Sequence, residues 1–161
     1  MKHDPRITPW RDGVAARSLE GILEAEVYLD PKAMGCAVAA AAIRAAPGHG
    51  AEQMDQLLFG ERFEVIEEEG DWLFGQAARD GYVGFVEAAA LAPAGPLPTH
   101  RVSALRTYAF AEASIKSRAM GPYSLNSLVC VEAVEGKLAK ASAAGWMAAA
   151  HLSPICAFEA D

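Results

Sequence analysis

The sequence is poor in cysteine. Three cysteines occur in 161 residues, and they are far apart, at Cys36, Cys130 and Cys156. An odd, scattered set neither cross-links a small secreted domain nor has the close spacing of a zinc site. We therefore expect these cysteines to be small, buried apolar residues.

Basic residues are also scarce. The sequence has 14 Lys and Arg against 21 Asp and Glu, a formal net charge of −7. This balance argues against a nucleic-acid partner, because a polyanion requires a basic surface. Hydrophobic residues make up 52% and charged residues 22%, which is ordinary globular usage and excludes both wholesale disorder and a fibrous protein.

Long apolar runs are missing as well. No stretch approaches the roughly 18 residues that a membrane-spanning helix needs. The start MKHDPRITPW lacks the apolar segment of a signal peptide. We therefore expect no membrane partner and a cytoplasmic location for the chain as given, while an extracytoplasmic location stays open.

What the sequence does contain is an internal repeat. Residues 92–99, with three prolines around Gly95, predict a linker, because neither a helix nor a central strand tolerates them. The stretches on either side align in order and spacing, which favours a duplication. The aligned positions include Arg44 with Arg106, Glu69-Gly70 with Glu135-Gly136, and Gly84-Phe85-Val86 with Gly145-Trp146-Met147.

The repeat predicts the domain organisation. We expect an N-terminal arm, a first domain, a linker, a second domain and a C-terminal tail. Their predicted bounds are residues 1–32, 33–94, 95–98, 99–156 and 157–161.

Within each repeat the pattern is typical of short strands. Apolar and acidic residues alternate up to a turn at Glu69-Gly70, and a second alternation follows a turn at Asp80-Gly81. We therefore predict an all-β protein made of two small, partly open barrels. Residues 37–46 and 147–151 are alanine-rich and by propensity favour helix. The repeat alignment instead predicts strands there, the second ending in a short 3₁₀ turn.

Several motifs resemble a known family. Arg44 ahead of Pro47, followed by LLFGE, GDW and DGYVGFV, is similar to the bacterial SH3 (SH3b) domain. The segments DPRITPWRDGVAARSLEG and THRVSALRTY resemble parts of NlpC-type cell-wall peptidases. Enzymes of that family carry two SH3b domains, followed by a papain-like domain that cleaves murein peptides between D-glutamate and a diamino acid. The resemblance therefore implies two SH3b barrels in tandem.

The catalytic part of that family has no counterpart in this sequence. Its nucleophile lies in an Asp-Cys-Ser-Gly motif, whereas the cysteines here stand in MGCAVA, LVCVEA and PICAFEAD. Cys156 with His151 shows neither a nucleophile turn nor a setting that lowers a thiol pKa. We therefore expect a non-catalytic chain that is a truncated member of the family or half of a split system. The histidines are isolated, so we expect no metal and no cofactor.

The candidate ligand-binding residues lie in the first repeat. They are Glu69, Asp71, Trp72, Tyr82 and Phe85. The acidic run that includes Glu69 and Asp71 is either a counter-charge for a peptide ammonium or the solvated tip of a hairpin. The aromatic residues form either a groove or part of the core. Trp146 recurs at the place of Phe85, which favours a structural role for that position.

These observations predict a recognition or positioning module. The resemblance implies that the first SH3b domain recognises the free amino terminus of a murein peptide or cell-wall fragment, and that a catalytic domain is the partner in cis or in trans. A free-standing SH3b protein that binds another protein is the alternative. An independent enzyme is the least favoured, because no nucleophile motif is present.

Overall fold

The computed structural model describes residues 3–155, so Cys156 and the predicted tail lie outside the described residues. Over this range the chain forms eighteen short β-strands and three single 3₁₀ turns, with no α-helix in the described part. The all-β prediction is confirmed. No helical segment between residues 3 and 155 is long and apolar enough to span a membrane.

The chain divides into two compact units. The first contains the described residues up to Leu57 together with Glu61–Ala94. The second contains Leu58–Gly60 and the described residues from Gly95 onward.

Ten strands begin in the first unit. Strands β1 to β3 form a small sheet in the N-terminal arm, in which β1 and β2 are antiparallel and β2 and β3 are parallel. The other seven form one sheet in the order β10-β4-β7-β8-β9-β5-β6, which leaves β10 and β6 at its edges. The bounds are β1 (Trp10–Arg11), β2 (Val14–Ala16), β3 (Val27–Leu29), β4 (Lys32–Cys36), β5 (Ala40–Arg44), β6 (Gln53–Leu58), β7 (Arg62–Glu69), β8 (Trp72–Ala77), β9 (Val83–Glu87) and β10 (Leu91–Pro93).

The second unit repeats this topology. Its sheets have the orders β14-β11-β18 and β13-β12-β17-β16-β15. They reproduce the order of the first unit when β14 and β15, separated by Cys130, together take the place of β7. This agreement supports the duplication. The bounds are β11 (His100–Val102), β12 (Arg106–Phe110), β13 (Ala119–Ser124), β14 (Leu128–Val129), β15 (Val131–Glu135), β16 (Leu138–Ala141), β17 (Gly145–Ala148) and β18 (Leu152–Pro154).

The two alanine-rich segments adopt the predicted conformations. Strand β5 lies inside the first one and alternates between buried and less buried positions, with Ile43 fully buried. In the second segment β17 is followed by a 3₁₀ turn at Ala149–His151. Burial in a sheet outweighs the helix propensity of alanine, because tertiary packing stabilises more than intrinsic preference does.

The seven-stranded sheet is apolar on both faces. Leu73 and Val86 belong to one buried cluster, which also contains Ile43 and Phe63. Neighbouring residues in β8 and β9 point to the opposite face, as alternation along a strand requires. There they form a second cluster, which the arm covers through Ala16 and the partly buried Val14 and Leu29. The buried sheet residues of this second cluster are Ile66, Phe74, Val83 and Phe85.

The described cysteines are free thiols. Cys36 is buried in the core of the first unit, where its Sγ lies 3.3 Å from the carbonyl oxygen of Val38. Burial raises the pKa of the Cys36 thiol above its ordinary value. A buried, protonated thiol is not a nucleophile. Cys130 is half-buried between β14 and β15. Cys36 therefore has the expected character of a small apolar core residue.

We predict that Gly84→Ala destabilises the protein. A Cβ at Gly84 would lie 2.6 Å from the carbonyl oxygen of Arg44, and one at the equivalent Gly145 would lie 2.7 Å from that of Phe110. Because the obstacle is backbone, we expect a loss of about 1 to 3 kcal/mol in the free energy of unfolding, measured by urea titration. Gly35→Ala is the control, since nothing lies within 4 Å of its Cβ position. Equal stability of the two variants would contradict the prediction.

Candidate functional site

The five predicted site residues are spread along the hairpins of the first unit. Glu69 pairs with Trp72 next to the turn that joins β7 to β8, whereas Tyr82 lies in the turn that joins β8 to β9. Strand β8 separates these two turns by about 16 Å, at about 3.3 Å per residue. A dipeptide-sized ligand therefore does not contact both ends at once.

Glu69 already has a cationic partner. Its Oε2 lies 2.7 Å from Nη1 of Arg11, and Arg11 also lies 3.8 Å from Oε2 of Glu67. The guanidinium carbon of Arg11 is 4.7 Å from the centroid of the Phe85 ring. Asp71 follows the turn and is exposed, while its backbone carbonyl accepts a hydrogen bond of 2.8 Å from the N–H of Ala88. Of the two carboxylates, Asp71 is exposed to solvent and forms no ion pair with any residue between 3 and 155.

Phe85 belongs to the core. It is 2% exposed, and its ring centroid is 5.2 Å from that of Phe74. The recurrence of Trp146 at the equivalent position of the second repeat favours a structural role for Phe85, and the burial of Phe85 agrees with that role. Trp146 itself is half-buried. A ring buried to this extent has no surface to offer a ligand.

Tyr82 is half-buried in the second turn. Its backbone N–H donates to Oδ1 of Asp80 at 3.1 Å, and its carbonyl accepts from the N–H of Ala77 at 2.8 Å. Both bonds fix the backbone of the turn. They place the side chain near the far end of β8 and away from Trp72.

Trp72 lines a cleft in the first unit. The cleft has a volume of about 360 Å³. Its walls come from β5 and the segment before it, the loop between β5 and β6, the start of β8, the end of β9 and the 3₁₀ turn that follows β9. The side chains on these walls that carry chemistry are Arg44, His49, Trp72 and Glu87, and alanines with Val38 make up the remainder.

The cleft combines an aromatic wall with a carboxylate and an imidazole. The ring centroids of His49 and Trp72 are 5.1 Å apart at an interplanar angle of 68°. Nε2 of His49 lies 3.7 Å from Oε1 of Glu87, and the two side chains are 73% and 45% exposed. Arg44 holds the loop, because its Nη1 donates to the carbonyl of Ala51 at 2.8 Å. An exposed carboxylate beside an indole suits a small cation that carries an apolar group.

Sequence reasoning missed His49 and Glu87. Counting outward from the predicted Asp80-Gly81 turn would pair Trp72 with Ala89, whereas the observed partner of Trp72 is Glu87. The sequence therefore predicts the hairpin but not the register that brings Glu87 to Trp72. Nothing local signals His49, which comes from a loop and meets Trp72 only in the fold.

Comparison with known proteins identifies the part of the chain that carries the cleft. A family model described as the bacterial dipeptidyl-peptidase SH3 domain matches residues 43–91. Residues 43–91 are a bacterial SH3 domain. The span includes His49, Trp72 and Glu87, so the polar and aromatic residues of the cleft belong to the SH3 domain. No curated protein matches the chain.

One solved structure shows similarity in fold, and two others match with lower scores. An NlpC/P60 family protein from Bacillus cereus has a TM-score of 0.58 and 14% identity, over 75% of this chain and 55% of that one. NlpC2 and NlpC1 from Trichomonas vaginalis have TM-scores of 0.33 and 0.34 at 10% identity, each over 78% of this chain and over 49% and 46% of their own. The chain spans about half the length of these proteins.

A separate carboxylate group lies near the far end of β8. Arg79 is 3.0 Å from Glu61, 3.3 Å from Asp80 and 3.8 Å from Asp55. Burial, and after it a hydrogen bond with Asp80, raises the pKa of Asp55. Burial also opposes ionisation of Asp80, but hydrogen bonds from Asp55 and Tyr82, with Arg79 nearby, outweigh it and lower the pKa of Asp80. Between residues 3 and 155 the structure has no group of three or more His, Cys, Asp or Glu side chains that could hold a metal ion, here or elsewhere.

We predict that Asp55→Asn gains stability relative to the wild type as pH rises. A carboxyl with a raised folded-state pKa stabilises fully below its unfolded pKa, and this contribution is lost as pH rises through the folded pKa. An amide does not ionise and can still donate to Asp80. The Tm difference, variant minus wild type, should therefore increase between about pH 4 and pH 7. Glu68→Gln, at an exposed position, is the control, and a difference that stays flat with pH would contradict the assignment.

Proposed function

We propose that this chain is the non-catalytic recognition and positioning region of a murein-peptide hydrolase, and that the SH3 cleft binds the amino terminus of the substrate. The observation that carries the proposal is that Trp72, His49 and Glu87 meet in one cleft inside the span matching the bacterial dipeptidyl-peptidase SH3 domain. The B. cereus likeness, which extends over 75% of the chain, supports the fold that the proposal requires.

The chemistry of the cleft fits a free peptide amino terminus. The Glu87 carboxylate pairs with the ammonium group, because a partly desolvated cation needs a charged acceptor. The Trp72 indole packs against the small apolar side chain of the first residue. Asp71, one residue before Trp72, is exposed and adds negative potential beside the cleft. Acylation of the amino terminus removes the positive charge and abolishes this recognition.

The proposal assigns bond cleavage to a partner. A catalytic domain, in cis or in trans, supplies the thiolate and closes the other side of the cleft. With one side open, the cleft buries little of the ligand while the ordering costs of binding remain. We therefore expect millimolar affinity for free murein peptide, and much tighter binding once the partner is present.

We predict that the purified chain does not hydrolyse L-alanyl-γ-D-glutamyl-diaminopimelate. Cys36 is buried with a raised pKa, and none of the three cysteines stands in a nucleophile motif. Product release is measured by chromatography after prolonged incubation, with an NlpC-type catalytic domain as the positive control. Turnover that disappears on replacing any single cysteine by alanine would overturn the non-catalytic assignment.

We predict that Glu87→Gln and Trp72→Ala lower the preference for a free amino terminus. The assay adds an NlpC-type catalytic domain to the chain and compares kcat/KM for the free and N-acetylated peptide. Loss of the charged acceptor should reduce this ratio roughly tenfold, since a charge-assisted hydrogen bond contributes about 1.5 to 3 kcal/mol. Glu87→Gln should also weaken the peptide-induced shift of the Trp72 indole N–H signal in NMR titrations.

Tyr82→Phe and Lys140→Ala are the matched controls for the cleft variants. Tyr82 lies at the other end of β8, and Lys140 is an exposed residue of the second unit. Both variants should keep the wild-type ratio. A loss with Tyr82→Phe that equals the loss with Glu87→Gln would move the recognition site to the second turn, and no loss with any variant would contradict the proposed function.

A further inference from the structure

We infer that Arg11 of the N-terminal arm is a positioning residue for the SH3 cleft. Arg11 holds the tip of the β7–β8 hairpin in place, and the tip in turn positions the Trp72 indole. The inference rests on the proposed function only for its effect on peptide recognition. The positioning itself is a property of the folded chain.

The first contact is electrostatic. Nη1 of Arg11 lies 2.7 Å from Oε2 of Glu69 and 3.8 Å from Oε2 of Glu67. The hairpin ends in three consecutive glutamates, Glu67 to Glu69, whose mutual repulsion a cation relieves. The Arg11 side chain is only 29% exposed, so this pair is screened less than one on an open surface.

The second contact fixes Arg11 to the sheet. Its guanidinium carbon lies 4.7 Å from the centroid of Phe85, which is 2% exposed. On the same arm, Ala16 is buried in the cluster that contains Phe74 and Phe85. Arg11 therefore reaches the hairpin from an anchored arm.

The hairpin tip carries Trp72. Glu69 and Trp72 are direct partners across the turn. The indole packs partly against the cluster under the arm, and its other neighbour is the imidazole of His49 in the cleft. A displacement of the tip therefore moves the aromatic wall of the cleft.

The second repeat provides an internal comparison. Its hairpin has the same turn, and Gly70 and Gly136 both have φ of +60°. The partner of Glu135 across that turn is Leu138, a buried residue, where the first repeat has Trp72. The Arg11 contact thus occurs at the β7–β8 hairpin, which is the hairpin that carries the Trp72 indole.

The test follows the Trp72 indole directly. In a Trp10→Phe/Trp146→Phe background Trp72 is the remaining tryptophan, and acrylamide quenching reports its exposure. Arg11→Met keeps an apolar stem and removes the charge. We expect roughly a twofold rise in the quenching constant, because loss of the ion pair populates displaced positions of the tip. Arg17→Met is the matched control, since Arg17 pairs with Glu20 and Asp30 on the same arm.

A charge exchange separates positioning from general stability. Arg11→Glu alone should raise the quenching constant, and combining it with Glu69→Arg should restore the wild-type value. With a catalytic domain added, Arg11→Met should raise KM roughly three- to fivefold and leave kcat unchanged. If Arg11→Met does not fold, Glu69→Gln removes the same pair from the exposed side and should give the same rise in quenching.

Two results would overturn the inference. One is a variant of Arg11 or Glu69 in which the Tm falls but the quenching constant of Trp72 does not change. That result would show that Arg11 only stabilises the fold. The other is a double variant with no recovery. If quenching rises as expected while Glu87→Gln leaves peptide preference intact, the positioning stands and the proposed function fails.

Discussion

The first unit depends on burying two faces of one sheet. Strand β9 is buried at four consecutive positions, Val83 to Val86, so its side chains need cover on both sides. The cluster that contains Ile43 and Phe63 covers one face, and the arm covers the other through Ala16, Val14 and Leu29. A domain of this size is marginal alone, because little surface is removed from water. The arm supplies a second hydrophobic layer without enlarging the seven-stranded sheet.

The two units have the same strand order and different interiors. The first contains Phe63, Phe74 and Phe85 among its buried residues, whereas the corresponding strands of the second bury smaller, non-aromatic ones: Val129, Leu138, Ala139, Ala141 and Met147. At the position of Phe85 the second unit has a half-buried Trp146. The two units thus share a topology, while the first has aromatic packing in its core and the second has smaller side chains there.

Local patterns predicted the architecture because strands and tight turns leave local signals. Alternation located the hairpins, and Gly70 and Gly81 have the positive φ that their turns require. The alanine-rich strands were predictable only through the repeat, since their own propensity favours helix. The division of β7 into β14 and β15 in the second unit had no counterpart in the alignment. The same is true of the parallel pairing of β2 with β3 in the arm.

The cleft was only partly predictable, because its residues come from different levels of structure. Trp72 follows from a turn motif, whereas Glu87 depends on a strand register that differs by two residues from the one given by the predicted turn. His49 depends on where a loop folds, which single-sequence patterns do not specify. Alternation assigns Phe85 to a face, but whether that face is open or covered depends on the arm. The partner of Glu69 was hidden for the same reason, since Arg11 lies 58 residues before it in the chain.

The position of the arm in the chain also sets the order of folding during synthesis. The arm strands leave the ribosome before β7 to β9, the strands whose outer face they cover. Their apolar side chains therefore remain unpacked until β9 has been synthesised. The contacts that they then form are distant in sequence, and such contacts slow folding. A protein that began after residue 29 would present Phe74 and Phe85 to solvent. Loss of the arm would therefore turn a covered face of the sheet into an exposed, aggregation-prone surface.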